Sequence, residues 1–289
     1  MQFLVYLLVY PILWLISILP FRLLYLFSDF VYVLVYYIIG YRKKTVRENL
    51  ALALPHLSEK ERLVIEKKSF HHLCDMFLEM IKTMTISKKE IKKRYLFTNL
   101  DFYKELEKEQ KSIAVMCAHY GSYEWLISMN YYSDFQGYGI YKKIRNPYFD
   151  KLVHKIRSRF KAILITTKET IPTIIKNNNE NKLGLYGFAS DQSPKLESAF
   201  HWSKFMNIEV PVHTGAEMLA KRYNMSLIFL KVKKVKRGFY EAELELLSKD
   251  PKDIPNYEIT DEFFKRVEKQ IYEAPEFYLW THKRFKHRR

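Results

Sequence analysis

The residue pattern with the clearest chemical meaning is a histidine followed five positions later by a glutamate, in Cys117-Ala-His119-Tyr-Gly-Ser-Tyr-Glu124. A carboxylate beside an imidazole fixes the ring tautomer and stabilises the imidazolium that forms when the ring takes a proton. We therefore expect His119 to be a general base oriented by Glu124, able to deprotonate a hydroxyl that then attacks an activated carbonyl. The spacing alone is weak, because a capping histidine followed by an exposed first-turn glutamate gives the same pattern.

Two other groups of reactive side chains are less favoured as functional sites. His71, His72 and Cys74 lie together in a predicted helix, but adjacent helical residues point about 100° apart and do not chelate one metal ion together. A nucleophilic Cys117 paired with His119 is the less favoured alternative to a general base. Neither group is expected to carry the chemistry.

The elements that position His119 are expected to form an α/β fold with a mixed central sheet flanked by helices. Short apolar runs typical of buried strands are separated by amphipathic stretches; they lie at 112–118, 162–166, 183–189 and 227–232. The run 239–247 alternates apolar and acidic residues, as a half-exposed strand near a sheet edge does.

Helices are predicted between these strands. Ser58-Glu-Lys-Glu61 has capping-box form and predicts a helix to about residue 85. Further helices are expected after His119, around 149–159, over 214–222 and over 261–272. Because open α/β sheets place their sites at the carboxyl ends of strands, His119 would leave its strand at that edge, where Gly121 permits a tight turn.

The composition excludes several classes of function. The chain has 289 residues, with 48 Lys and Arg against 32 Asp and Glu, a net charge of +16. Its eight glycines form neither a GxGxxG nor a GxxxxGK[ST] motif, which disfavours a Rossmann dinucleotide enzyme or a P-loop NTPase. Cys74 and Cys117 are too few for a disulfide framework or a cysteine-based structural zinc site, and they predict reduced thiols in the cytosol.

The excess positive charge lies entirely after residue 41. Residues 1–21 carry no charge and have about the length that crosses a hydrocarbon core. We therefore predict a retained membrane-spanning helix there, because the features of a cleaved signal peptide are missing. A second apolar run at 30–41 is expected to lie in the interface or against the first. The alternative is that both runs are buried soluble helices, interrupted at Pro11 and Pro20.

A lysine and arginine cluster at 42–47 follows directly and favours the cytoplasmic side of a membrane. We therefore divide the chain into an N-terminal membrane anchor with an interfacial helix at 1–41 and a cytosolic domain at 42–289. Nucleic acid is a rival explanation of the positive charge, but no zinc finger, helix-turn-helix or RNA-binding motif stands out, so no nucleic-acid partner is expected. An anionic membrane surface and an acidic carrier protein explain the charge better.

Further motifs stand in order along nearly the whole chain. They are Arg47-Glu-Asn-Leu50, Ala118-His119-Tyr-Gly-Ser-Tyr-Glu124, Tyr141-Lys-Lys-Ile-Arg-Asn146-Pro with Arg157-Ser-Arg159, Gly187-Phe-Ala-Ser-Asp191-Gln192-Ser, and Phe277-Tyr-Leu-Trp280-Thr-His282-Lys-Arg284-Phe-Lys286. With them the sequence resembles the lipid A biosynthesis (late) acyltransferase family, which is related to the glycerol-phosphate acyltransferases with an His-x4-Asp/Glu motif.

This resemblance implies a glycerolipid acyltransferase-like fold and an enzyme that moves a fatty acyl chain onto a hydroxyl of a lipid A precursor. The donor would be the thioester of acyl carrier protein or coenzyme A, with no metal or redox cofactor, at the cytoplasmic face of the bacterial inner membrane. The resemblance implies His119 as general base, Glu124 as its orienting carboxylate, Arg157 as a positive group beside the pair and Asp191 as the group that closes the site. The implied substrate-binding residues are Tyr141, Asn146, Arg159 and Gln192.

The sequence departs from the family pattern in two places. Lys142 and Lys143 replace an Arg-Pro pair, which removes bidentate donors but keeps charge, and Ser193 stands where an acidic residue commonly follows. The same chemistry on a glycerophospholipid, an amino-acid lipid or another glycolipid therefore stays open, as does a non-catalytic membrane-anchored lipid-binding protein. The cationic segment 283–289 either docks a phosphorylated headgroup or the carrier, or is a frayed soluble tail.

Overall fold

The first third of the chain is helical. The computed structural model describes residues 2–289 and begins with α1 (Gln2–Ile18) and α2 (Phe21–Tyr32), which continues as a π-helix (Val33–Ile39). The helices α3 (Lys43–Ala53), α4 (Glu59–Lys82) and α5 (Lys88–Arg94) follow. The capping box predicted at the start of α4 is confirmed, because Ser58 and Glu61 each accept a hydrogen bond from the other's backbone N–H.

A seven-stranded mixed sheet forms the centre of the molecule, as predicted. Its strands are β1 (Tyr95–Phe97), β2 (Ile113–Cys117), β3 (Gln136–Tyr141), β4 (Ile163–Thr166), β5 (Gly184–Ala189), β8 (Ser226–Lys236) and β9 (Phe239–Ser248), while β6 (His201–Phe205) and β7 (Ile208–Val212) form a separate hairpin. The order across the sheet is β1-β9-β8-β2-β5-β3-β4. Only β8 and β9 pair antiparallel within it.

Helices connect the strands and cover the sheet. They are α6 (Leu100–Lys108), α7 (Pro147–Arg157), α8 (Thr170–Asn179), α9 (Gly215–Tyr223) and α10 (Glu258–Glu273), with a 3₁₀-helix (Tyr123–Tyr131) after β2. Every residue of β2 is buried, as expected for a central strand covered on both faces. Because β2 is buried, the start of the loop that carries His119 is held in a fixed position at the end of this strand.

The apolar N-terminal run differs from its predicted form. The first helix ends at Ile18 after 17 residues, and Pro20 separates it from the next one. The helix that is long and apolar enough to cross a membrane is instead the following one, Phe21–Ile39, with 19 residues. Met1, where the predicted spanning run begins, lies outside the described residues.

The C-terminal segment packs into the body instead of fraying. Trp280, Arg284 and Phe285 are almost fully buried. The backbone N–H of Arg289 donates to the carbonyl of Glu209 in β7 at 3.1 Å. The frayed-tail alternative for 283–289 is therefore wrong, since the buried side chains of Arg284 and Phe285 anchor this segment.

Candidate active site

The pairing of β2 with β5 brings His119 and Asp191 together. In this parallel pair Cys117 lies opposite Ala189, the last residue of β5. His119 and Asp191 each follow two residues later, so both reach the carboxyl edge of the sheet at the same place. The Oδ1 atom of Asp191 accepts from the backbone N–H of His119 at 3.1 Å and lies 2.7 Å from the ring Nδ1. Sequence reasoning had placed His119 at this edge.

Burial and charge make the His119–Asp191 pair a strongly coupled one. Burial of the His119 ring opposes its protonation, but the charge and hydrogen bond of Asp191, with the nearby charge of Glu124, outweigh that effect and raise the pKa of His119. Burial also opposes ionisation of Asp191, yet the contacts with His119 lower the pKa of that carboxyl. The side chain of Asp191 is 1% exposed and that of His119 is 19% exposed. The ring is therefore reachable from outside while its partner is not.

The ring of His119 has one occupied and one open nitrogen. Within residues 2–289, Nδ1 pairs with Asp191 and Nε2 makes no hydrogen bond. The ring of Tyr123 packs edge-on against the imidazole, with centroids 4.8 Å apart. A carboxylate on Nδ1 holds the proton there and leaves Nε2 as the proton acceptor.

Backbone pairing with the C-terminal segment fixes the loop that carries His119. Gly121 has a φ of +58°, a conformation that side chains disfavour. Its N–H donates to the carbonyl of Phe277 at 2.9 Å, and the N–H of Leu279 donates to the carbonyl of His119 at 3.1 Å. Asn49 in turn holds this segment, because its Nδ2 donates to the carbonyls of Trp280 and His282, each at 2.7 Å.

Glu124 does not take the position expected for it. Its carboxylate accepts two hydrogen bonds from Arg157, at 2.8 Å from Nε and 2.5 Å from Nη2, and among the described residues the ring of His119 bonds Asp191 instead. The turn is followed by a 3₁₀-helix that begins at Tyr123. Its second residue, Glu124, points towards the end of α7, where Arg157 lies. The expectation that Glu124 orients the ring by direct contact is therefore corrected: Asp191 makes that contact.

The expected substrate-binding residues divide between two surroundings. Arg159 donates to the carbonyls of Thr83 and Ile86, at 2.6 and 3.0 Å, where it closes the end of α4. Asn146 caps α7 by accepting from the N–H of Tyr148 at 3.0 Å. These two residues bind parts of the fold instead of facing the His119 pair.

Tyr141 and Gln192 lie closer to the sheet edge that carries the pair. Tyr141 ends β3 and contacts Asp150 at 3.4 Å. Gln192 follows Asp191 directly and is half-buried. Neither side chain hydrogen-bonds to His119 among residues 2–289.

Sequence reasoning missed the contribution of the C-terminal motif to the site. Nε2 of His282 accepts from the N–H of Ser193 at 3.3 Å, two residues after Asp191. Burial, with the charges of His119 and Arg284, lowers the pKa of His282 to about 4 and outweighs the opposing effect of Asp191. The ring is neutral at pH 7 and suited to accept that bond. The sequence did contain one indication that this segment is buried. The aromatic residues at 277–280 are too closely spaced for a solvent-exposed tail.

The arrangement supports general-base chemistry. The imidazole has a buried carboxylate on one nitrogen and an open second nitrogen, next to a cation, Arg157, that is itself paired with Glu124. Within residues 2–289 no three His, Cys, Asp or Glu side chains converge on a position that would hold a metal ion. His119 is therefore placed to take a proton from a group that approaches the sheet edge.

Comparison with known proteins places this sequence in a family. The sequence model described as bacterial lipid A biosynthesis acyltransferase matches residues 1–287. The lipid A biosynthesis lauroyltransferase of Escherichia coli (strain K12) is 24% identical over 278 residues, which are 96% of this chain and 90% of that protein. A lipid A biosynthesis acyltransferase of Haemophilus influenzae is 23% identical over 258 residues, 84% of this chain and 76% of that protein.

Proposed function

The chain belongs to the bacterial lipid A biosynthesis acyltransferase family and is an acyltransferase, and we propose that it moves a fatty acyl chain from an acyl thioester to a hydroxyl of a lipid A precursor. The observation that carries the proposal is the imidazole of His119, with Nδ1 on Asp191 and Nε2 open at the sheet edge. The names of the two relatives support the acceptor class. The acyl donor is the thioester of acyl carrier protein or of coenzyme A.

The proposed reaction is a single displacement at the thioester carbonyl. Nε2 of His119 takes the proton of the acceptor hydroxyl while that oxygen attacks the carbonyl carbon. A new C–O bond forms, the C–S bond breaks, and the imidazolium returns its proton to the leaving thiolate. Asp191 stabilises the imidazolium through its charge and keeps the ring in the tautomer that leaves Nε2 free.

Arg157 supplies positive charge beside the reacting groups, and Glu124 holds it in place. The pair is bidentate and its carboxylate is almost fully buried, a geometry that fixes the direction of a guanidinium. With two nitrogens on Glu124, Nη1 of Arg157 makes no hydrogen bond within residues 2–289. We propose that this nitrogen faces negative charge on the substrates.

We also propose that the enzyme works at the cytoplasmic face of the bacterial inner membrane, attached through residues 1–41, with residues 42–289 as the catalytic domain. The exposed apolar side chains of α1 and α2 support membrane attachment. The excess of 48 basic over 32 acidic residues fits an anionic membrane surface and an acidic acyl carrier protein.

Acyl transfer by the purified full-length protein tests the chemistry. The assay combines an acyl thioester with a lipid A precursor and follows release of free thiol and the mass of the acylated product. His119→Ala should lower the rate by about 100-fold or more. His154→Ala, an exposed histidine of α7, is the matched control and should retain the wild-type rate. Equal rates for wild type and His119→Ala contradict the mechanism.

The acceptor is tested separately, by mass spectrometry of lipids from a strain lacking the gene. Loss of one acyl chain from lipid A supports the proposed acceptor. An unchanged lipid A with an altered glycerophospholipid, amino-acid lipid or other glycolipid assigns the same chemistry to that acceptor. A non-catalytic lipid-binding protein is excluded by thioester consumption that requires His119.

A further inference from the structure

The helix that is long and apolar enough to cross a membrane is tied along its length to the catalytic body. On α2 and the π-helix after it, hydroxyls of Tyr25, Ser28 and Tyr36 donate to carboxylates of α4 at 2.9, 2.8 and 2.9 Å. The acceptors on α4 are Glu79, Asp75 and Glu66. All three carboxylate residues are at most 2% exposed. If this helix crossed a bilayer, each of those buried carboxylates would lose one of its hydrogen bonds.

A second set of contacts joins the same helix to the β8–β9 hairpin. Arg237, in the turn between these strands, donates to Asp29 of α2 and Asp75 of α4, at 2.6 and 2.7 Å from Nη2. Nε2 of His71 in α4 also lies 2.7 Å from Asp29. The one acidic residue of the N-terminal helices is thus held by the body of the protein.

The first helix also lies against the body at both of its ends. Near its start, the ring of Phe3 is 5.1 Å from the ring of Tyr148 in α7. Near its end, Nζ of Lys82 donates to the carbonyls of Ser17 and Leu19, each at 2.7 Å. A helix of 17 residues is about 25 Å long. If α1 crossed a membrane, one of these two contacts would lie on its far side, away from the catalytic body.

The sides of α1 and α2 that face away from the body form an apolar surface. Residues 3–41 contain 17 of the 30 exposed large apolar side chains of the described chain, although they are about a seventh of its length. Examples are Leu4, Leu8, Ile12, Leu26, Phe30 and Ile38, each at least 56% exposed. A surface of this kind needs a partner.

Cations border this surface at both ends. Arg42, Lys43 and Lys44 follow the last residue of the π-helix, and Arg22 is exposed at the start of α2. Exposed Lys142, Lys143 and Arg145 precede α7, against which α1 packs. An apolar face bordered by lysine and arginine is complementary to one leaflet of an anionic bilayer, with acyl chains below and phosphates around it.

We propose that α1 and α2 lie in the plane of a single anionic leaflet, so that no segment of residues 2–289 crosses the membrane. This inference rests on the membrane attachment in the proposed function and replaces the spanning helix expected at 1–21. The N-terminus and the catalytic body then lie on the same side of the membrane. The acceptor lipid would be taken from the leaflet into which the two helices insert.

Thiol labelling of the full-length protein in membranes tests this arrangement. Cys74 and Cys117 are buried, so an introduced cysteine reports its own side. Gln2→Cys marks the N-terminus and Asn179→Cys, at the exposed end of α8, marks the body. With a membrane-impermeant maleimide, both should be labelled in inverted inner-membrane vesicles and neither in intact spheroplasts. A Gln2→Cys protein labelled in spheroplasts while Asn179→Cys is labelled only in inverted vesicles overturns the proposal.

A hydrophilic tag with one cysteine joined ahead of Met1 decides the side if Gln2→Cys is too deep to react. Acyl transfer is measured on the same membranes. A spanning N-terminus with normal transfer would reject this inference alone, whereas loss of transfer in His154→Ala or retention in His119→Ala concerns the proposed function.

Vesicle flotation tests the leaflet surface directly. Full-length protein is mixed with vesicles of phosphatidylglycerol and phosphatidylethanolamine, or of phosphatidylcholine alone. Leu26→Glu should weaken binding to the anionic vesicles about tenfold, because it removes an exposed apolar side chain that would insert into the leaflet and adds a negative charge. Ile171→Glu, an equally large exposed apolar residue on α8, is the matched control and should bind as wild type does. Equal binding by the two variants would contradict the assignment of this face to the leaflet.

Discussion

Replacing Asp191 and Glu124 one at a time separates the carboxylate that orients His119 from the one that orients Arg157. Asp191→Asn keeps an oxygen at the position of Oδ1, which accepts from the backbone N–H and lies on Nδ1 of His119. The substitution removes the charge and little else. Glu124→Gln instead breaks the bidentate contact with Arg157 and leaves the direct partner of the ring in place.

The size of the expected effect follows from the hydrogen bond that loses its charge. A hydrogen bond to a charged group contributes about 1.5–3 kcal/mol, and about 1.36 kcal/mol corresponds to a tenfold change in rate. The Asp191→Asn enzyme should therefore lose about 10- to 150-fold in kcat. The loss grows if the amide selects the wrong tautomer of the His119 ring.

The pH profile distinguishes the two roles. The proposed general base must be neutral to act, so activity should rise with pH through the pKa of His119. Burial lowers that pKa, but the charge and hydrogen bond of Asp191 outweigh burial and raise it. Removal of that charge lowers the pKa, and the acid limb of kcat/KM should move to lower pH in Asp191→Asn. Glu124→Gln should move the limb less, because its charge is the smaller of the two raising effects.

The assay is thioester consumption between pH 5 and 9, with thermal unfolding in detergent as a control for folding. Glu124→Gln should lower the unfolding temperature more than Asp191→Asn does, since it leaves the buried guanidinium of Arg157 without its charged partner. If Glu124→Gln shifts the acid limb further and lowers kcat more than Asp191→Asn, Glu124 is the orienting carboxylate and the reasoning from the hydrogen bonds is refuted.

Three further predictions concern stability, measured by thermal unfolding in detergent. Arg159→Ala removes two hydrogen bonds at the end of α4 and should lower the unfolding free energy by about 1–3 kcal/mol with kcat unchanged. A large loss of kcat at normal stability would instead indicate that Arg159 binds substrate. Gly238 has a φ of +75°, and an alanine Cβ there would lie 1.9 Å from the hydroxyl oxygen of Tyr25. Gly238→Ala should therefore destabilise the fold by about 1–3 kcal/mol, and a neutral effect would contradict the close packing of α2. Burial raises the pKa of Glu79 to about 7, although the charge of Lys234 opposes this shift. The carboxyl therefore ionises at lower pH in the unfolded chain than in the folded one, and stability should fall as pH rises from 5 to 8. Glu79→Gln should flatten that pH dependence, and an unchanged slope would mean that another group causes it.

Strands β2, β4, β5 and β8 were predicted from continuous apolar runs, and β9 from its alternation of apolar and acidic residues. Burial on both faces demands continuous apolar runs, and it holds for every residue of β2 and for the first five residues of β8. Strand β3 was not predicted, because Gly137 and Gly139 interrupt its sequence and glycine weakens the strand signal. It forms because neighbouring β4 and β5 pair with it on both sides. Tertiary pairing thus outweighed the local preference.

The position of His119 in the fold was predictable, but its contacts were not. A histidine just past a buried strand is expected at the carboxyl edge of the sheet. Its true partner, Asp191, is 72 residues away, and the two meet only because β2 and β5 are neighbours in register. Local sequence does not reveal the order of strands in a sheet, so it did not reveal that Asp191 lies beside His119. It did reveal Glu124, which is only five residues away. Proximity along the chain therefore favoured the wrong carboxylate for the direct contact.

The backbone hydrogen bonds between the His119 loop and residues 277–279 can form only late in the synthesis of the enzyme. Phe277 is translated 158 residues after His119, which takes about 8–30 s at ordinary rates of elongation. The apolar N-terminal helices, by contrast, leave the ribosome first. These helices are thus outside the ribosome before the His119 loop has its backbone partners at 277–279. The two backbone hydrogen bonds that hold the His119 loop therefore form only when the chain is nearly complete, long after its exposed apolar helices have been made.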